Sequence, residues 1–184
     1  CSHGGRCLYL DDGKNIVTII DSFNGKKFNS PNDVCVKSDD TIWFTDPPYG
    51  ILSDYEGYKG KQEYDGCYVF SYDPNNNELK IVTTELDRPN GIAFSHDEKK
   101  IYIADTGERV KCLYVFDIHN NAISNKKLVY DFNPFFSDGF RCDRDGNLWT
   151  SAGKAIKCFN SENELIGQIL VPELVSNLEF GGKE

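Results

Sequence analysis

Apolar residues in this chain fall in short runs rich in Val, Ile, Tyr and Phe, and each run is bounded by a cluster of Gly, Asn, Asp or Pro. Helical periodicity is nearly absent. Short runs of β-forming residues between turn clusters predict an all-β protein assembled from hairpins. The expected strands lie near 6–10, 16–20, 33–37, 41–45, 67–72, 79–83, 91–95, 100–104, 112–117, 127–130, 139–142, 147–151, 155–159, 165–169 and 177–180.

The runs also repeat as larger units. "PNDVCVKSDDTIWFTD" (31–46), "PNGIAFSHDEKKIYIAD" (89–105) and "SDGFRCDRDGNLWTSA" (137–152) share one layout: a polar pair, a strand, an Asp-containing turn and a second strand. A fourth copy, "VSNLEFGGKE" (175–184), contains only the first part. Asn32, Asn90, Asp138 and Ser176 occupy the same place in successive units, at intervals of 58, 48 and 38 residues. The long first interval contains a Tyr- and Gly-rich insertion, "PPYGILSDYEGYKGKQEYDG". A repeat of roughly 40–50 residues carrying four strands is the signature of a propeller blade. The chain is therefore read as one partial β-propeller domain spanning 1–184, with about four four-stranded blades and both ends falling inside blades, and with a closed four-bladed ring as the alternative.

Composition narrows the function. The apolar share of 39%, with 13% aromatic residues, suffices for a packed core. A net charge of −9 and scattered Lys and Arg exclude a phosphate-binding surface, so no nucleic-acid partner is expected. Runs such as "CLYVF" are too short to cross a bilayer, and no membrane association is expected either. The first residue is Cys and the chain lacks Met, as expected of an internal or processed piece of a longer product. Seven cysteines sit mostly inside apolar runs with no C-x-x-C pair, and no N-x-S/T glycosylation acceptor occurs. Both features point to a reducing, cytoplasmic setting.

In a propeller, a residue that precedes the innermost strand of each blade becomes part of a ring around one mouth of the channel. Asn32, Asn90, Asp138 and Ser176 would meet there, with Asp33 beside them. Asx and Ser also favour turns, so a turn role is the plain alternative. Turns do not require one register in every repeat, however. Amide and carboxylate oxygens without His or Cys suit a hard divalent cation, Ca²⁺ ahead of Zn²⁺ or Mg²⁺.

The segments "NSPNDV", "FTDPPYGI", "RPNGIAFS", "SDGFRCDRDGNLW" and "VSNLEFGG" resemble, in order, those of the gluconolactonase, regucalcin (senescence marker protein) and luciferin-regenerating-enzyme-like family. The resemblance implies a six-bladed propeller with a divalent cation, usually calcium, in its channel. It also implies hydrolysis of a sugar lactone or a related ester. Carried over by residue, Asn90 and Asp138 match metal ligands, and Asp138 is also the catalytic acid or base. Asn32 matches a channel asparagine beside metal and substrate, Asp33 its neighbour, and Ser176 the inner position of the next blade. The family's metal-binding glutamate falls upstream of residue 1, and its closing strands fall beyond Glu184.

On this reading a metal ion polarises the lactone carbonyl while Asp138 takes or relays the proton of the attacking water. Asn32 and Asp33 orient sugar hydroxyls, and the insertion carrying Tyr49, Tyr55, Tyr58 and Tyr64 covers the mouth or forms an exposed loop. Phe135 and Phe136 wall the pocket or pack between blades, Trp43 and Trp149 mark blade core, and His3, beside the first strand, takes a structural place or approaches the channel. "DRDGNLW" looks like a calcium loop, but Lys154 stands where an EF-hand needs Glu, so it reads as a hairpin turn. The expected partner is a small lactone or ester. The alternatives are a calcium-binding regulator, an interaction scaffold, or a propeller acting on non-lactone substrates, as the strictosidine-synthase-like proteins do.

Overall fold

A computed structural model of the protein describes residues 1–182. The chain falls into two compact units, residues 1–89 and from Asn90 onward.

In the first unit, β1 (Leu8–Asp11) and β2 (Ile16–Ile20) form a two-stranded sheet, and β3 (Ser22–Phe23) and β4 (Lys26–Lys27) a second. A four-stranded sheet follows in the order β5 (Val34–Val36), β6 (Ile42–Asp46), β7 (Tyr68–Asp73) and β8 (Glu78–Thr83). The single helical turn α1 (Tyr49–Leu52) begins just after Pro47-Pro48, where a fixed φ favours helix entry. The second unit holds two four-stranded sheets. One contains β9 (Pro89–Phe94), β10 (Lys100–Asp105), β11 (Cys112–His119) and β12 (Ala122–Asp131). The other contains β13 (Phe140–Cys142), β14 (Leu148–Ser151), β15 (Ala155–Phe159) and β16 (Leu165–Leu170).

The all-β class and the four-stranded antiparallel sheets are as the sequence predicts. Each sheet pairs its strands in sequence order, each strand returning beside the one it follows, and between β6 and β7 it does so after the long insertion that carries α1. The first hairpin of each four-stranded sheet closes with a backbone bond, which spans one more residue in the second of these sheets than in the other two. Lys37 N donates to Thr41 O, Ser95 N to Lys100 O, and Asp143 N to Asn147 O. The residue in the left-handed region is Asp40, Glu98 and Gly146 respectively. In "DRDGN" the Asp143 carboxylate accepts the backbone N–H of Asp145 and Asn147, at 3.0 and 2.8 Å. That carboxylate is a turn cap, as expected.

Differences from the expected strands have local causes. β12 begins at Ala122 rather than near 127, because Asn120 and Asn121 both take positive φ and close a two-residue turn. The strand expected at 177–180 is not formed among the described residues. Asn177 Oδ1 accepts the N–H of Leu178, and Glu179 Oε1 that of Phe180, so side chains take groups that a ladder would use.

The first unit's core is aromatic. Phe28, Phe44 and Phe70 are fully buried with ring centroids 5.3 Å apart, and Leu8, Tyr64 and Tyr72 pack around them. The second unit's core joins its two sheets through Ala93, Leu113, Phe132, Phe140, Leu148 and Phe159. Trp43 is fully buried, as expected of a core position, whereas Trp149 is half-buried with its Nε1 on Asp143 Oδ2. The seven cysteines form no disulfide. Among the described residues no helix is long and apolar enough to cross a membrane.

Candidate active site

In the second unit, the polar pair "Asn90-Gly91" lies near the start of β9, and "Asp138-Gly139" lies just before β13. Their glycines explain how closely these segments approach. A Cβ on Gly91 would stand 1.9 Å from the Asp138 carbonyl oxygen and 2.8 Å from the Phe140 ring. A Cβ on Gly139 would meet the Asn177 side chain at 2.2 Å. Gly139 N also donates to Ser176 O at 2.7 Å. Asn90, Asp138 and Ser176 therefore lie on successive neighbouring backbones, the adjacency implied by their common place in the repeat.

Asn90 is 6% exposed, and its Nδ2 donates to Thr106 Oγ1 at 3.3 Å, which sets the flip of the amide. Asp138 is half-buried. Its backbone N–H donates to Ser151 Oγ at 2.8 Å, and the next bond down pairs Ser151 N with Gly139 O. Just before it, the hydroxyls of buried Ser137 and Thr150 share a hydrogen bond of 2.6 Å. Two hydroxyl residues at the end of β14 thus hold the backbone that presents the Asp138 carboxylate.

Asp138 opens on a cavity of about 320 Å³. Ser176 is its other polar member, and Phe135, Phe136, Leu174 and Val175 form much of its wall. Of the two places that the sequence allowed Phe135 and Phe136, the pocket wall is the one observed.

The remaining candidates lie in the first unit. Asn32 is half-buried, with its N–H on Thr45 O at 2.9 Å and its Nδ2 3.1 Å from His3 Nε2. His3 Nδ1 is 3.8 Å from Glu56 Oε2. Burial holds the imidazole below its usual pKa, against the opposing pull of Glu56, which favours the neutral ring that accepts from an amide. His3 is thus in contact with a candidate site residue. Asp33 accepts the backbone N–H of the next residue, Val34, on Oδ1 at 2.9 Å. Tyr49 is half-buried at the start of α1.

Sequence reasoning missed a buried bracket behind Asn32. Both oxygens of Asp46, at the end of β6, accept backbone donors at 2.8 Å: Oδ2 from Asn29 and Oδ1 from Ser30. The Tyr64 hydroxyl also donates to Oδ2. Ser30 Oγ in turn donates to Pro47 O at 2.6 Å and accepts from Gly50 N at 2.8 Å. Burial pushes the Asp46 carboxyl up to about 7, against the opposing pull of Tyr64 and the two backbone donors. The signal was present: Asp46 and Asp105 both end the second strand of their repeats.

Among the described residues no group of three or more His, Cys, Asp and Glu is arranged to hold a metal ion. The second unit supplies one carboxylate, from Asp138, and one amide, from Asn90.

Comparison with known proteins places these features. A gluconolactonase from Zymomonas mobilis is 31% identical over 176 residues, covering 90% of this chain and 49% of its own. The lactonohydrolase oryL of Aspergillus oryzae is 25% identical over 189 residues, covering 90% of this chain and 43% of its own. The solved structure of a gluconolactonase from Xanthomonas campestris superposes with a TM-score of 0.93 at 34% identity, over 98% of this chain and 60% of that one. The chain thus spans about half the length of the curated relatives it matches. The family model described as the SMP-30/Gluconolactonase/LRE-like region matches residues 1–184, and the chain belongs to that family.

Proposed function

We propose that the full-length protein is a metal-dependent hydrolase of the gluconolactonase type, opening a lactone or similar ester, with Asp138 as its acid–base carboxylate. Each four-stranded sheet is read as one blade of a propeller that has six blades in the full-length protein. The observation that carries this reading is the contact of Gly91 with the Asp138 backbone. It sets the Asn90 amide and the Asp138 carboxylate on neighbouring segments, with the carboxylate on a cavity. The relatives named above support the reaction class.

Amide and carboxylate oxygens fit a hard cation in kind, and Ca²⁺ is the first choice. Asn90 and Asp138 are the residues of the second unit that would hold it. When bound, such an ion polarises the carbonyl and offsets the negative charge that develops on its oxygen. Asp138 then accepts a proton from the attacking water on a carboxylate oxygen and returns it to the leaving ring oxygen. Ser151, bonded to the Asp138 N–H, keeps that carboxylate in place during both transfers. Asn32 is assigned a substrate contact by its place in the repeat.

The test is hydrolysis of D-glucono-δ-lactone by the full-length protein with Ca²⁺, Zn²⁺ or Mg²⁺, beside Asp138→Ala and Asn90→Ala, with folding checked. Metal-dependent turnover lost in both variants is expected. Turnover that survives Asp138→Ala would sink the assignment.

A further inference from the structure

Among the described residues, the cavity at Asp138 is lined by few polar side chains for a site that handles a sugar. Among the described residues its polar side chains are Asp138 and Ser176. Phe135 is 49% exposed, Phe136 46% and Leu174 70%, so three large apolar side chains stand open to water around one carboxylate. Exposed apolar groups gathered about a polar centre mark a ligand site more often than chance decoration of a surface.

The wall is held in place. Phe135 lies over Gly153, where a Cβ would come within 2.7 Å of its ring, and Gly153 sits at φ +65°, a conformation open to glycine. Gly153 O accepts the N–H of Val175 at 2.9 Å, which ties the Leu174–Ser176 segment to the same point. The Lys111 ammonium stands 5.8 Å from the centre of the Phe136 ring. At about 320 Å³ the cavity is at the small end of ligand pockets, which run from roughly 300 to 1,000 Å³.

We propose that this cavity binds an apolar portion of the substrate, so that the preferred lactones carry an alkyl or aryl substituent rather than a full set of ring hydroxyls. Phe135 and Phe136 are then specificity-determining residues. The inference rests on the reading of Asp138 as the carboxylate at the reacting end of the substrate. Among the described residues the wall of the two rings and Leu174 offers a polyhydroxylated ring no side-chain hydrogen-bond partner, and each unmatched group weakens binding. An alkyl chain in the same place leaves water and strands no polar group.

The experiment measures binding of 6-alkyl δ-lactams, methyl to hexyl, to the full-length protein by calorimetry. Lactams keep the ring and carbonyl but resist hydrolysis. Hydrolysis of the matching 6-alkyl δ-lactones and of D-glucono-δ-lactone is followed in parallel. Kd should fall by roughly fourfold per methylene until the cavity is full. Phe135→Ala and Phe136→Ala should each flatten that dependence, and both rings are exposed enough for the variants to fold. A Kd independent of chain length, or a dependence untouched by both variants, overturns the proposal. If gluconolactone is turned over while Kd stays flat, the hydrolase reading stands and the apolar subsite falls. If lactams bind with the expected dependence and no lactone is hydrolysed, the subsite stands and the hydrolase reading falls.

Discussion

Gly91 and Asp138 touch through their backbones: a side chain on Gly91 would begin 1.9 Å from the Asp138 carbonyl oxygen. The contact explains why glycine follows the asparagine in this repeat. It also makes Gly91 a control point for Asp138 without any chemistry of its own.

Gly91→Ala should therefore displace the Asp138 backbone, because the obstructing atom is main chain and cannot rotate away. A cost of about 1–3 kcal/mol is expected, as for other overpacked sites. Gly139→Ala is the comparison, since its Cβ would meet the flexible Asn177 side chain instead. Urea denaturation should show the larger loss at Gly91. Equal losses would remove the backbone contact as the cause.

Asp46 gives a prediction in pH. Its folded pKa is raised to about 7 by burial, above the ordinary carboxylate value of 3.8. The folded state therefore holds this proton more tightly than the unfolded chain does. The stabilising contribution is complete below pH 4 and is lost as pH rises through 7. Denaturation midpoints between pH 4.5 and 8 should show a component that falls with rising pH and disappears in Asp46→Asn. Tyr64→Phe removes the hydroxyl that holds the pKa down, so the same component should move to higher pH. A profile unchanged by Asp46→Asn would refute the assignment.

Ser30→Ala breaks two bonds at once, to Pro47 O and from Gly50 N, in a fully buried place. Leaving those two backbone groups unmatched should cost about 1–3 kcal/mol. The variant also loosens the loop leading to Asn32 from the turn that carries Tyr49. KM for the substrate should rise more than kcat falls. A change confined to kcat would mean that the bracket does not position substrate contacts.

Calcium should stabilise the full-length protein if Asn90 and Asp138 hold it. Binding to the folded state alone contributes about 2.7 kcal/mol at a hundredfold excess over Kd. Thermal melts with Ca²⁺ and then with chelator should show a reversible shift, absent in Asp138→Ala. A shift of the same size in that variant would place the ion elsewhere.

Much of this was readable from the chain. The repeat located Asn90, Asp138 and Ser176 in one register, and the structure brings their segments side by side. Phe135 and Phe136 were legible as aromatics next to Asp138, though not as pocket rather than packing. Other features were harder for identifiable reasons. The β3–β4 hairpin was missed despite Asn24-Gly25, a strong turn pair with φ of 51° and 75°, because its strands have two residues each. The extended segment near 177–180 has a β-like composition, but its own side chains cap its backbone.

What the sequence by itself determined is the all-β class, the hairpins of the four-stranded sheets and the common register of the polar pairs. These depend on turn residues and on the order of apolar runs, which act over a few positions. The tertiary structure alone decided that Asp46 is buried under Tyr64, that His3 meets Asn32, and that Phe135 lies over Gly153 beside Asp138. Desolvation and close approach are set by groups far apart in the chain, and a one-dimensional pattern carries no distances between them.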